Sequence, residues 1–303
     1  MKTRLIISVL LFICFSYGCQ SKKVSSSGVI NVNGVALSYL TEGTGQPCLF
    51  YGIRLYHAKS FSANFRSHFQ CTFIDCRFNV PSAVADTINP FNINSAVEEI
   101  ESIRKALNLP KFILVGHSIF GLIVLEYAQQ YPQHISHVIA IGTIPEISQN
   151  RTIHANNYWN DSASTERKEL FKNNWVILTK DSLSKLSPSD AYIASVVANA
   201  PKRWYDSTYN EHQLLSGVPY NVPVLNQLFA QDFFLFSDSV KIKPPVFLAM
   251  GKYDYGCPYF AWERHLGMFN DITFQLFNYS GHNPHTEEAA KFDSLVINWI
   301  KKK

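Results

Sequence analysis

The feature that most constrains this chain is a repeating unit: a short unbroken apolar run, a tight turn, then a stretch of helical length. Residues 112–115 are one such run, Gly116-His117-Ser118 is the turn, residues 119–130 read as a helix stopped by Pro132, and residues 138–141 are the next run. A strand that is apolar at every position has no face to offer water, so it must be covered on both sides. A parallel sheet between two layers of helices meets that need, and the alternation of strand and helix predicts an α/β fold.

The same grammar runs along most of the chain. Residues 29–32 and 35–40 read as a hairpin around Asn33-Gly34, a strong two-residue turn. Residues 48–51 and 71–74 are short strands. A helix is expected over 95–107, where Ser95 and Glu98 have capping-box spacing and Val97, Ile100, Ile103 and Leu107 share a face. Between about 145 and 243 the alternation stops and the pattern is helical and aromatic. A helix is expected over 165–178, and Ser187-Pro188 looks like a cap followed by proline at the first helical position. Strands resume at 246–250 and 272–277. A closing helix over 287–301 carries Phe292, Leu295, Val296, Trp299 and Ile300 on one face. At 303 residues the chain suits one α/β domain with a helical insertion.

The N-terminus reads as an export signal. Lys2 and Arg4 precede an apolar run from Leu5 to Phe15 that is too short to span a bilayer comfortably. The run ends Ser16-Tyr17-Gly18-Cys19, which resembles a bacterial lipoprotein signal and implies lipidation of Cys19. Residues 1–18 are then signal, and 19–28 a polar tether. The expected location is the cell envelope, with the membrane reached through the lipid anchor. Outside the signal, Cys48, Cys71, Cys76 and Cys257 remain and read as small buried apolar residues. The net charge of +4 owes much to the two termini, and no basic stripe with interleaved aromatics points to nucleic acid.

Three residues lie just past expected strand ends. Ser118 sits between a buried strand and a helix, the setting that exposes a nucleophilic hydroxyl and offers a helix N-terminus to developing negative charge. A serine needs a base. Asp254 follows the strand at 246–250, and His282, in Ser280-Gly281-His282-Asn283-Pro284, follows the strand at 272–277. Active sites of open α/β sheets form at that carboxyl edge.

Together, strand-Gly-His-Ser-x-x-Gly-helix, then Gly-x-x-Asp-x-x-x-Pro, then Gly-His-x-Pro resemble the α/β-hydrolase superfamily, in its lid-bearing branch of proline iminopeptidase-like enzymes and small esterases. The resemblance implies a mostly parallel eight-stranded sheet with helices on both faces. It also implies a core over 29–144 and 244–303, with a helical lid over 145–243. By the same resemblance His282 takes the proton of Ser118, Asp254 orients His282, and the backbone N–H groups of Ile53 and Ile119 form an oxyanion hole. Two positions differ from the family pattern. Tyr51-Gly52 stands where His-Gly is usual, and Phe120 stands where a small residue is usual.

Hydrolysis of an ester or amide of a small, largely apolar substrate is therefore the leading expectation. A proline iminopeptidase-like aminopeptidase is the alternative, with Glu166, Glu169 and Asp190 as candidate ligands for a substrate amine. A non-catalytic surface binding lipoprotein is the third. His282-x-x-His285 and His134-x-x-His137 lack an obvious third ligand, so neither metal nor cofactor is expected. His117 and Asp75 are expected to be structural.

Overall fold

The computed structural model describes residues 25–81, 90–236 and 240–303. The expected signal and Cys19 lie outside the described residues. Strands β1 (Ser25–Val32) and β2 (Val35–Glu42) form the hairpin, turning at Asn33 (φ 51°) and Gly34 (φ 82°). Then follow β3 (Pro47–Gly52), helices α1 (Arg54–Ser60) and α2 (Ala63–Ser67), β4 (Gln70–Asp75), α3 (Ile93–Ala106), β5 (Phe112–His117), α4 (Ile119–Gln130) and β6 (Ile135–Ile141). An insertion of short helices comes next. It holds α5 (Gln149–Ser162), α6 (Thr165–Ile177), α7 (Lys180–Ser184), α8 (Pro188–Ala198), α9 (Ala200–Arg203), α10 (His212–Leu215) and α11 (Val222–Phe229). A two-residue pair, β7 (Glu146–Ile147) with β8 (Phe233–Phe234), ties its ends together. The chain closes with β9 (Val246–Gly251), β10 (Ile272–Phe277), α12 (Pro284–Glu287) and α13 (Ala289–Lys302).

Eight strands form one sheet in the order β1-β2-β4-β3-β5-β6-β9-β10. β2 is antiparallel to both β1 and β4, and every other neighbouring pair is parallel. The fold is thus the α/β sheet that the alternation predicts. Side chains of the central strands point alternately into two cores. Phe112, Leu114, Val138, Ala140, Val246 and Leu248 join the core with α3 and α4. Ile113, Val115, Ile139, Ile141, Phe247 and Ala249 join the core with α13. The closing helix buries Phe292, Val296, Trp299 and Ile300, four of the five residues expected on its inner face.

Three local expectations change. The hairpin starts at Ser25, so residues 25–28 of the expected tether are paired strand, with Ser25 opposite Glu42. Its three serines are exposed on an edge strand, where no apolar alternation marks them. Helix α3 starts two residues early, because the Asn92 side chain, not Ser95, is the cap and accepts the Ser95 N–H at 2.9 Å. The closing helix is broken at Glu288 (φ −118°, ψ 46°) into α12 and α13. No helix among the described residues is long and apolar enough to cross a membrane.

Candidate active site

Ser118 occupies the one residue between β5 and α4, at φ 60° and ψ −130°. A side chain rarely adopts such a backbone, and it persists only where the surroundings force it. Here glycines allow the forcing. A Cβ on Gly116 would lie 2.3 Å from the Phe120 carbonyl oxygen, and one on Gly121 2.6 Å from the Thr143 side chain. The Ser118 N–H donates to the Ile141 carbonyl at 2.8 Å, tying the turn to β6. The Ser118 hydroxyl makes no hydrogen bond to any described residue.

Ile53 follows β3 and precedes α1. Its N–H and that of Ile119, the first residue of α4, are both free of hydrogen bonds among the described residues. Both residues line the same cavity as Ser118. Asp75 holds the loop in place: its carboxylate accepts the Arg54 backbone N–H at 3.1 Å and Nε at 2.9 Å.

The two positions that differ from the family pattern pack against each other. The Phe120 ring is buried, stacked on Phe78 at 4.9 Å and edge-on to Tyr51 at 5.8 Å. It fills the space over Gly52, where a Cβ would lie 2.8 Å from the ring. Gly52 itself sits at φ 140°, open to glycine alone at little cost. Tyr51 donates its hydroxyl to buried Glu99 at 3.0 Å, and Glu99 also pairs with Arg77 at 3.4 Å.

Asp254 and His282 stand past the ends of β9 and β10. Asp254 is fully buried, accepting Gly256 and Cys257 N–H at 3.0 and 2.8 Å on Oδ1. Its Oδ2 lies 2.6 Å from His282 Nδ1. Burial lowers the pKa of His282, and the Asp254 charge raises it. The Arg203 charge opposes, the hydrogen bond to Asp254 assists, and the balance lifts it to about 9. His282 Nε2 is buried and without a partner. His117 Nε2 donates to the His282 carbonyl at 3.0 Å when it carries the proton. Gly142 (φ 52°) leaves room for this arrangement, since a Cβ there would be 2.5 Å from the His282 carbonyl oxygen.

The cavity at Ser118 measures about 90 Å³ and is largely apolar, walled by Phe78, Phe120, Leu225 and Phe229, with Arg203 and Tyr192 from the insertion. A larger hollow of about 480 Å³ within the insertion contains none of the groups described above.

A family model described as the alpha/beta hydrolase fold matches residues 50–289. The chain belongs to the α/β-hydrolase family. This α/β-hydrolase is 27% identical over 278 residues to the AB hydrolase superfamily protein YclE of Bacillus subtilis, covering 90% of the chain and 98% of that relative. It is 25% identical over 238 residues to a proline iminopeptidase of Clostridioides difficile, covering 69% and 73%. Among solved structures, an α/β-fold hydrolase from Bacillus anthracis superposes with a TM-score of 0.60 at 21% identity, over 90% of this chain and 99% of that one. An esterase from Thermogutta terrifontis gives 0.60 at 16% identity, over 93% and 99%.

Sequence reasoning pointed to Ser118, Asp254, His282, Ile53 and Ile119. In this α/β-hydrolase Asp254 and His282 are hydrogen-bonded, and Ser118, Ile53 and Ile119 share a cavity; Ser118 and His282 are not hydrogen-bonded. Asp75 and His117 support neighbouring main chain. Glu166, Glu169 and Asp190 are exposed on the insertion, outside that cavity. Three further residues carried no sequence signal. Cys257 Sγ lies within 4.8 Å of ligand atoms of Asp254 and His282. Those three could suggest a metal, but Asp254 already shares its oxygens among three hydrogen bonds. Glu287 accepts the Gly281 and Asn283 N–H groups at 2.9 and 3.1 Å and the Tyr205 N–H at 2.6 Å, so it clamps the His282 loop to the insertion. Burial pushes its carboxyl up, to about 7, against those three bonds. Arg203 is the third.

Proposed function

We propose that this α/β-hydrolase is a serine hydrolase that cleaves an ester or amide of a small, largely apolar substrate through an acyl-enzyme on Ser118. His282 Nε2 takes the Ser118 proton as Oγ bonds to the substrate carbonyl carbon. With the imidazole pKa raised to about 9, only its neutral fraction does so at neutral pH, and activity rises as pH climbs towards 9. The negative charge gathering on the carbonyl oxygen faces the N–H groups of Ile53 and Ile119. The carbon–leaving-group bond then breaks, and His282 passes the proton to the departing alkoxide or amine. Water repeats the sequence, with His282 again as base, and frees the acid. Asp254 holds the Nδ1–H tautomer and favours the imidazolium.

One observation carries this reading. The Ser118 hydroxyl, His282 Nε2 and two N–H groups are all uncommitted, while the atoms that would hold them in place are bonded. The reading requires Ser118 Oγ and His282 Nε2 to come within hydrogen-bond reach when substrate binds, and such bonds often tighten only in the complex. The insertion over 145–243 serves as a lid in this reading, supported by its contribution of Tyr192, Val196, Arg203, Leu215 and Tyr220 to the cavity.

The aminopeptidase alternative draws on the proline iminopeptidase relative and calls for carboxylates facing Ser118. The charged side chain lining the cavity is instead Arg203, which offers an ammonium group donors and no acceptor. A panel of p-nitrophenyl esters beside prolyl-naphthylamide separates the two. Ester turnover that vanishes in Ser118→Ala is expected; faster cleavage of the prolyl amide would move the assignment to the peptidase. A binding lipoprotein would turn over neither. Export and anchoring through Cys19 are part of the proposal and rest on sequence alone. Metabolic labelling with a palmitate analogue should mark wild type and not Cys19→Ser; an unlabelled wild type would remove the anchor.

A further inference from the structure

Arg203 ends α9, and its main chain is pressed onto the His282 loop. The Arg203 carbonyl accepts the His282 N–H at 2.5 Å. It lies so close that a Cβ on Gly281 would meet it at 2.2 Å. The flanking residues are also stitched down, with Lys202 O accepting the Tyr255 N–H at 3.0 Å and the Tyr205 N–H donating to Glu287. The side chain thus starts from a fixed point beside His282. It reaches the cavity that Ser118 lines.

The guanidinium there is only partly used. Nε donates to Glu211 Oε1 at 3.1 Å. The terminal nitrogens Nη1 and Nη2, with four N–H donors, bond to no described residue. About a quarter of the side chain's surface is free, and Arg203 lines the cavity. Glu211 is fully buried behind it, with Oε2 unpartnered. The carboxylate therefore anchors the guanidinium from the rear. An apolar cavity that keeps a fixed cation with a free planar fork of donors is built to receive an oxyanion, and the fork matches a carboxylate.

We propose that Arg203 is a specificity-determining residue that binds a carboxylate on the substrate, so that the preferred esters or amides carry an acidic group a few bonds from the scissile carbonyl. This rests on the serine hydrolase reading above. The bulk of the substrate meets the apolar wall of Phe78, Phe120 and Leu225, and the acid meets Arg203. Compensation by Glu211 keeps the empty site near neutral, so binding depends on the directed N–H donors.

Matched ester pairs test it, read as kcat/KM after subtraction of spontaneous hydrolysis. p-Nitrophenyl hydrogen glutarate against p-nitrophenyl pentanoate places the acid on the acyl side. 4-Acetoxybenzoate against 4-acetoxybenzamide places it on the leaving group. Wild type should favour the anion at least about tenfold in one pair, the scale of a charge-assisted hydrogen bond. That ratio should fall to about one in Arg203→Gln and in Arg203→Gln/Glu211→Gln, the second of which strands no buried carboxylate. A wild-type ratio near or below one in both pairs overturns the proposal. So does a ratio that survives in either folded variant. Good turnover of neutral esters without acid preference would sink this inference and leave the hydrolase reading intact. Should Ser118 prove inert, titration with glutarate reads the same contact without turnover. Binding by wild type that Arg203→Gln weakens would support it; no binding, or equal binding by both, would overturn it.

Discussion

Ser118 and His282 are held by unlike means. Around Ser118 the supports are main chain and apolar packing: the glycines at 116 and 121, the Ile141 carbonyl, and the Phe120 ring wedged between Phe78 and Gly52. Three buried imidazoles, His57, His117 and His285, are driven to the neutral form, with burial the main cause, and His117 bonds the His282 carbonyl. Around His282 the supports ionise. Asp254 holds the ring, Glu287 holds the loop, and the charge of Arg203 bears on the imidazole. Ser118 is therefore fixed by shape, while the setting and proton of His282 are open to pH.

Four outcomes would break or sharpen that contrast. The largest belongs to Asp254. Asp254→Asn keeps the shape but removes the charge that fixes the His282 tautomer, and kcat should drop on the order of 10⁴-fold. Stopped-assay kinetics with a p-nitrophenyl ester read it, and a loss under tenfold would remove Asp254 from the mechanism.

On the other side the expected loss is in stability. Gly52→Ala should cost about 1–3 kcal/mol, because its Cβ meets the Phe120 ring and its φ is unsuited to a side chain. Denaturant titration measures it. Phe120→Ala in the same chain should recover part of that cost, leaving the backbone strain; strictly additive effects would mean the ring and the glycine are not coupled.

The pH dependence of stability divides the same way. His57 has a folded pKa of about 3, below its unfolded value near 6.5, and His117 and His285 are lowered too. The unfolded chain then binds more protons, and stability falls as pH drops below about 6.5. His282 is raised to about 9. Its contribution is complete below pH 6.5 and fades as pH climbs towards 9. Unfolding free energy should thus peak near neutrality, and a steady rise to pH 9 would contradict the assignment of the His282 proton.

The smallest effect is at Glu287. Its carboxyl is raised to about 7 from an unfolded value near 4.5, so the unfolded chain releases its proton first and stability falls as pH rises between those values. Glu287→Gln, which keeps one acceptor oxygen and cannot ionise, should flatten the slope from pH 4.5 to 7. An unchanged slope would place the titration elsewhere.

Much of this was legible in the sequence where one local rule decides the outcome. Apolar runs gave strands, Asn33-Gly34 gave the hairpin turn, and Ser187-Pro188 gave the cap of α8, with Ser187 accepting the Asp190 N–H. The positions of Ser118, Asp254 and His282 past strand ends were legible in the same way, and the last two meet in a hydrogen bond. The rest depends on distance in space. Ser25–Gly28 reads as tether because an exposed edge strand needs no apolar side chains. Asn92 and Ser95 are equally good local cap signals, and only the fold selects Asn92. The fit of Phe120 over Gly52 joins residues 68 apart in the chain. Arg203 and Glu211 lie in an insertion with no clear period, so nothing marks them until the fold places them beside His282.

The central claim is that Ser118 is a nucleophile activated by His282. Reaction of the folded protein with a fluorophosphonate, followed by intact mass and peptide mapping, reads it directly. One adduct on Ser118 is expected, slowed strongly in His282→Ala and absent in Ser118→Ala. No adduct on the wild-type protein, or an adduct on another residue, would contradict the claim.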